Sequence, residues 1–228
     1  MRMKALLSGD IRFQFKYGFY FLYLVFSILY TGLLYAFPLE WREMTGIVMI
    51  FTDPAAMGLF FMGAIVLFEK SERVLDSIAI SPVKPVEYVL SKLFSIAIIS
   101  TVVGLVIGIA SGSISSIFMF ITSVFLCSCL FSSVGLIVAS HVTTLNQFII
   151  ATIPAEILIM VPAIAYLFGF NKYNWLLFHP GVSMIELCIG GKNTLAAFII
   201  LFFWSTLSVA LTCLFVKKMF QSVGGVKL

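Results

Sequence analysis

Six long apolar blocks constrain this chain more than any other feature of its sequence. They cover about residues 17–37, 47–68, 89–110, 117–139, 148–170 and 194–216. A helix needs about 20 apolar residues to cross a bilayer, because it rises about 1.5 Å per residue through about 30 Å of hydrocarbon. Only 11% of the residues are charged, against roughly 25% in soluble domains. The sequence therefore predicts an all-α, polytopic membrane protein in which residues 1–228 form one transmembrane domain with six spans.

Two segments outside these blocks are also predicted to lie at the membrane. Residues 1–16 alternate basic with apolar side chains, which predicts an amphipathic helix in the membrane interface. Residues 171–193 are too apolar for a solvated loop and predict a short helix or a re-entrant hairpin before the sixth span. Asp53 and Pro54 interrupt the second block, where we expect a helix cap; a ligand role for Asp53 is the alternative.

Basic residues are distributed unevenly between the two sides that six spans define. If the N-terminus is cytoplasmic, eleven Lys and Arg residues lie inside and three lie outside, namely Arg42, Lys172 and Lys192. Cytoplasmic loops of membrane proteins carry an excess of Lys and Arg. Both termini and the connection between spans two and three are therefore predicted to face the cytoplasm, and residues 171–193 to face outward.

The connection between spans two and three is a concentrated polar segment, residues 68–92, which holds eight of the 24 charged side chains. Its spacing predicts a helix over residues 69–77, with Lys70, Arg73 and Ser77 on one side and Val74 and Ile78 on an adjacent face. Ser81-Pro82 and Pro85 would end this helix, because proline disfavours helical geometry in the residue before it. The alternative is a solvated charged loop.

Motifs for catalysis or nucleotide binding do not occur in the sequence. Gly190-Gly191-Lys192-Asn193 lacks the spacing and the hydroxyl of a phosphate-binding loop. His141 and His179 fall on opposite sides of the predicted membrane, so they cannot share a metal. We therefore expect no catalytic residue, no metal site and no cofactor bound by this chain, and the small net charge of +4 gives no support to nucleic-acid binding.

The order of motifs around the polar segment resembles that of the permease subunits of type-2 ABC exporters. The motifs are Glu69-x-x-Glu72-Arg73, then Ser81-Pro82, then Glu87-Tyr88-x-x-x-Lys92. The resemblance extends to the amphipathic N-terminus, the six-span layout and the apolar segment before the last span. Residues 9–20 are also similar to the start of small bacterial drug-export permeases, including fluoroquinolone-export-like ones. One departure is Val74-Leu75, where such permeases often carry Gly-Thr.

The resemblance implies a bacterial plasma-membrane exporter subunit that works as a homo- or heterodimer in contact with membrane lipid. Each subunit would dock on a separate P-loop ATPase chain, which carries ATP and Mg. Energy would enter through a coupling helix whose implied docking residues are Glu69, Lys70, Glu72, Arg73, Val74, Asp76, Ser81 and Pro82. This chain itself is expected not to be an enzyme.

The cargo is expected to be a hydrophobic or amphipathic compound, such as a drug, a peptide or a lipid-like molecule. Aromatic and Met side chains form adaptable apolar walls, and the predicted lining residues are Phe19, Tyr23, Phe26, Tyr30 and Met160. Core or lipid contacts are the alternative for each. Glu156 lies roughly 12 Å into the fifth block. It is either a cavity carboxylate for cationic or zwitterionic cargo, or a partner in an interhelical hydrogen bond or a cap beside Pro154.

Two other functions fit parts of the sequence. A secondary carrier could couple transport to protons through Glu156 or Asp53, although no repeated half is visible in the sequence. An immunity or sensor protein would bind a toxic peptide without moving it. Transport without a partner ATPase would support the carrier, and cargo binding without transport would support the sensor.

Overall fold

The computed structural model describes residues 2–52, 57–169 and 174–223, and every regular element within these ranges is helical. The α-helices there are α1 (Arg2–Lys16), α2 (Phe19–Ala36), α3 (Leu39–Ile50), α4 (Met57–Ser71), α5 (Val74–Ala79), α6 (Pro85–Ser111), α7 (Ile117–His141), α8 (Leu145–Leu167), α9 (Pro180–Ile189) and α10 (Thr194–Val223). A short 3-10 helix, Asn174–Phe178, precedes α9. The predicted all-α fold is confirmed for these ranges.

Within the described ranges, five helices are long and apolar enough to cross a membrane, namely α2, α6, α7, α8 and α10. They correspond to the first, third, fourth, fifth and sixth predicted spans, and they confirm a multi-pass membrane protein. The second predicted span corresponds to α3 and α4, which lie on either side of residues 53–56. Asp53 and Pro54 are outside the described residues, so the predicted cap and the six-span count stay predictions.

Helix α7 is the centre of the fold and packs against α4, α6, α9 and α10. Of its apolar span, 61% is buried. Small residues on its inner face let α4 come close: a Cβ atom at Gly135 would collide with the backbone carbonyl of Leu59, and one at Gly58 would collide with the Ser132 hydroxyl. In a bilayer such close van der Waals packing holds helices together, because lipid tails are as apolar as the side chains.

Three helices expose most of their apolar surface. Only 11% of the span in α2, and 22% in each of α8 and α10, is buried. A helix that is apolar all round is stable when protein or lipid covers it. These helices therefore form the surface that meets lipid or another membrane chain.

The described part of the segment before α10 folds as the 3-10 helix Asn174–Phe178 and the short helix α9, which is packed into the protein. Every residue of α9 from Pro180 to Cys188 is buried. The Glu186 carboxylate accepts hydrogen bonds from the Tyr166 hydroxyl at 2.6 Å and from the Asn193 backbone N–H at 3.2 Å. The Trp204 indole N–H donates to the Phe178 carbonyl at 2.9 Å. A short helix was one of the two structures predicted for this segment.

The polar segment does not form the single helix predicted over residues 69–77. Helix α4 ends at Ser71, and α5 begins at Val74 after Arg73 adopts a left-handed conformation with φ 54°. That conformation costs a residue with a Cβ atom roughly 1–2 kcal/mol. It redirects the chain so that Leu75, only 1% exposed, packs inside while α5 lies against α4 and α10.

Candidate functional site

A buried ionic cluster joins α1, α4 and α6 at the end of the molecule that carries α5. The Lys92 ammonium lies 2.9 Å from the Asp10 carboxylate and 2.6 Å from the Glu69 carboxylate. Lys92 is 2% exposed and Glu69 is 5% exposed. A buried charge of this kind is stable only when other charges and hydrogen bonds compensate for lost hydration.

Neutral donors complete the cluster. The Tyr88 hydroxyl donates to Glu69 Oε2 at 2.7 Å, and the Ser91 hydroxyl donates to Asp10 Oδ2. Each carboxylate oxygen therefore has a partner. We call Asp10, Glu69, Tyr88, Ser91 and Lys92 the polar junction. Two carboxylates and one ammonium give it a formal charge of −1.

Lys70 fixes the end of α4 on its other side. Its ammonium donates to three backbone carbonyls, those of Ala139 at 2.6 Å, Ser140 at 3.1 Å and Val142 at 2.9 Å. These carbonyls belong to the last turn of α7 and the residues after it, where a cation satisfies groups that have no helical partner. Glu69 and Lys70 therefore connect α4 to α6 and to α7, respectively.

The predicted docking residues separate into two groups. The charged ends of Glu69 and Lys70 bind within the chain, as described above. Glu72, Arg73, Val74 and Asp76 are exposed, and Pro82 is exposed beside them. The Ser81 hydroxyl donates to the Ile78 carbonyl at 2.7 Å and accepts the Val83 N–H at 3.4 Å, which fixes the turn after α5. The structure thus presents an exposed surface at Glu72, Arg73, Val74 and Asp76. Hydrogen bonds of Lys70 before it and of Ser81 after it hold the chain on both sides.

A groove of about 480 Å³ runs between α1 and α5. Apolar side chains from α1, α5 and the turn after α5 form its walls, and carboxylates of the polar junction belong to its lining. The lining residues are Ala5, Leu6, Gly9, Asp10, Phe13, Glu69, Val74, Ile78, Pro82 and Val83. We call this the α1–α5 groove.

The aromatic residues predicted to line a cargo cavity pack largely within the chain. Tyr23 is 2% exposed and its hydroxyl hydrogen-bonds to Ser100 at 2.9 Å. The rings of Phe19 and Tyr23 both contact Phe61 on α4, with centroid distances of 5.2 Å and 4.9 Å. This places the two residues at the α2–α4 contact.

The remaining predicted cavity residues are half-buried. Phe26 and Tyr30 stack on each other with ring centroids 6.0 Å apart. Met160 packs against the core from α8. Glu156, also on α8, has one buried carboxylate oxygen without a hydrogen-bond partner among the described residues. Glu156 is therefore the predicted cavity residue whose carboxylate has an oxygen without a hydrogen-bond partner among the described residues.

The described parts of the chain contain no group of three or more His, Cys, Asp and Glu side chains that could hold a metal ion. Sequence reasoning missed Asp10, which completes the polar junction. Asp10 is the single acidic residue of α1, and an acid in an otherwise basic amphipathic helix is a signal that could have identified it. The groove depends on where tertiary packing places α1 relative to α5, which no local pattern reveals.

Comparisons with known proteins identify the family of this chain. A family model described as the fluoroquinolones export permease protein family matches residues 1–223. The fluoroquinolones export permease proteins of two Mycobacterium tuberculosis strains, CDC 1551 / Oshkosh and ATCC 25618 / H37Rv, are each 25% identical over 167 residues. That alignment covers 72% of this chain and 70% of each relative. A match along almost the whole chain shows that this protein belongs to the fluoroquinolones export permease protein family.

Proposed function

We propose that this chain is the membrane permease subunit of an ATP-binding-cassette exporter. Membership of an export permease family supports transport. The observation that carries the coupling to an ATPase is the exposed surface at the start of α5, because the end of α4 just before it is held to α6 through Glu69 and to α7 through Lys70, and Lys92 on α6 in turn binds Asp10 on α1. A partner that pushes on α5 would therefore move these helices together.

The proposed partner is a separate P-loop ATPase subunit, which binds ATP and Mg. Its proposed contacts on this chain are Glu72, Arg73, Val74 and Asp76, whose side chains are exposed. The distribution of Lys and Arg supports an orientation with α5 and both termini in the cytoplasm of a bacterial cell. Glu69, Lys70 and Ser81 position this contact surface through their bonds within the chain.

We propose a dimer of permease subunits, with the transport path between them. The exposed apolar surfaces of α2 and α8 support this arrangement, since a second membrane chain can cover them. The proposed cargo is an amphipathic compound of the fluoroquinolone type, by analogy with the names of the relatives. Glu156 on α8 would face the positively charged part of such a compound.

Co-purification tests the ATPase partnership. The tagged chain is purified from its own cell membranes in mild detergent, and bound P-loop ATPases are identified by mass spectrometry. We expect one such ATPase with the unaltered chain and little with Glu72→Lys or Arg73→Glu, because each reverses a charge on the contact surface. Glu43→Lys, an exposed reversal on α3, is the matched control. Recovery that neither Glu72→Lys nor Arg73→Glu reduces would contradict the docking assignment.

An ion-coupled secondary carrier is the second candidate. The observation that favours it is the unpartnered carboxylate oxygen of Glu156, since an intramembrane acid can carry a proton. Sealed vesicles that contain this chain, prepared with and without the co-purified ATPase, distinguish the two proposals. Fluoroquinolone movement driven by a pH gradient alone would support the carrier, whereas movement that requires the ATPase and ATP would support the exporter.

A further inference from the structure

The α1–α5 groove combines apolar walls with excess negative charge. Leu6 and Phe13 on α1 face Val74 and Ile78 on α5 across the groove. Asp10 and Glu69 are the charged residues of its lining, and Lys92 balances only one of their two negative charges. A long basic side chain matches both properties, because its methylene groups pack on apolar surface while its charged end reaches an acid.

Gly9 keeps the groove open on the α1 side. It lies inside α1, where glycine costs about 1 kcal/mol relative to alanine. A Cβ atom at Gly9 would meet no other atom within 4 Å, so packing within the chain does not require glycine there. Ala5 lies one turn earlier and also lines the groove. The two small residues leave space that an incoming side chain can occupy.

We propose that the α1–α5 groove receives an Arg or Lys side chain from the partner ATPase. This inference rests on the proposed function and adds to it, because it makes α1 part of the docking surface. The partner would contact the exposed face of α5 and insert its basic side chain between α5 and α1. The residual charge of −1 in the polar junction selects a cation over an aliphatic or acidic side chain.

The membrane offers a competing occupant, because α1 has the sequence pattern of an interfacial helix. An anionic phosphate group is disfavoured by two carboxylates with one compensating ammonium. An aminophospholipid carries an ammonium group and so shares the required charge. The experiment must therefore separate the ATPase from lipid.

A bulky side chain at residue 9 tests the groove without altering the polar junction. We expect Gly9→Trp to fill the groove and to reduce the affinity for the ATPase that co-purifies with the unaltered chain by about tenfold or more. Gly9→Ala should retain binding, since a methyl group leaves most of the groove free. Ser8→Trp is the matched control, because Ser8 is exposed on α1 and does not line the groove.

Photo-crosslinking gives a second measurement that does not depend on how Gly9→Trp folds. A benzophenone amino acid replaces Gly9 or Ser8 in the full chain, and adducts are mapped by mass spectrometry. We expect residue 9 to crosslink to an ATPase peptide that contains Arg or Lys, and residue 8 to give much less of this product. Adducts of residue 9 with lipid alone would overturn the inference.

The outcomes separate this inference from the proposed function. If the unaltered chain binds no P-loop ATPase, the exporter proposal and the groove inference both fail. If it binds the ATPase and Gly9→Trp binds as well as Gly9→Ala, only the groove inference fails. Loss of binding with both Gly9→Trp and Ser8→Trp would contradict a specific role for the groove, because Ser8 lies outside it.

Discussion

At the scale of single residues, Lys92 determines whether the polar junction is stable. Its ammonium lies between the carboxylates of Asp10 and Glu69, and all three side chains come from different helices. Without it, two buried acids would face each other with only hydroxyl donors nearby. The junction therefore depends on one cation to hold α1, α4 and α6 together.

We expect Lys92→Met to destabilise the protein by about 3–5 kcal/mol, the range found when one partner of a buried ion pair is removed. Thermal unfolding in detergent measures the change as a lower midpoint. Lys217→Met, an exposed site on α10, should leave the midpoint nearly unchanged. The triple variant Asp10→Asn, Glu69→Gln, Lys92→Met should recover most of the loss. An unchanged midpoint for Lys92→Met alone would contradict the importance of the ion pairs.

The sequence predicted that several charged residues of the junction matter, but it did not predict their contacts. Glu69 was expected to face a partner, because charge in an apolar chain normally lies in water. Instead, Glu69 binds Lys92 and Tyr88, which are 23 and 19 residues later. The polar junction as a whole depends on α1, α4 and α6 meeting, and a local spacing rule contains no information about that contact.

At the scale of elements, the contact between α4 and α7 brings a glycine against the backbone of the neighbouring helix. Gly135 on α7 lies against the backbone of Leu59 on α4. A backbone neighbour cannot rotate away as a side chain can. Any added atom at Gly135 must therefore separate the two helices.

We expect Gly135→Ala to destabilise the protein by about 1–3 kcal/mol, because overpacking forces shifts of the backbone. The melting midpoint in detergent should fall, and the fraction of aggregated protein in gel filtration should rise. Gly32→Ala on α2 is the control, since a Cβ atom there meets no other atom within 4 Å. Equal midpoints for the two variants would contradict the close α4–α7 contact.

The break between α4 and α5 shows where element prediction from sequence fails. Charge spacing predicted one helix over residues 69–77. Residues 69–71 and 74–77 are indeed helical, but they belong to two different helices, α4 and α5. The left-handed Arg73 separates the halves, because α5 must turn Leu75 into the protein while α4 keeps Glu69 beside Lys92. The departure from the family pattern at Val74-Leu75 coincides with this new helix start.

At the scale of the whole molecule, the predicted class of protein is confirmed. Long apolar blocks specify membrane helices because bilayer thickness fixes their length, and five of the six blocks correspond to single long helices in the described residues. The path of the cargo was not predictable in the same way. In the proposed dimer it depends on which exposed faces the second chain covers, and Tyr23 already packs against α4 and α6 within one chain.

At the same scale, a change at Glu156 tests the proposed transport path. We expect Glu156→Gln to lower export of cationic fluoroquinolones several-fold, since an isosteric amide removes the charge that attracts the cargo. Uptake and efflux of a fluorescent fluoroquinolone in cells measure this effect. ATPase co-purification and the gel-filtration profile should stay unchanged. Unaltered export would remove Glu156 from the transport path.

The ion pair between Lys92 and Asp10 also has a consequence for biosynthesis. The two residues are 82 positions apart in the sequence. A ribosome that adds about 5–20 residues per second needs about 4 to 16 s to cover that distance. Helix α1 is therefore synthesised well before the lysine that fixes it in place. During that interval, the alternation of basic and apolar side chains in α1 and its contact with α2 are the features available to hold it at the bilayer surface.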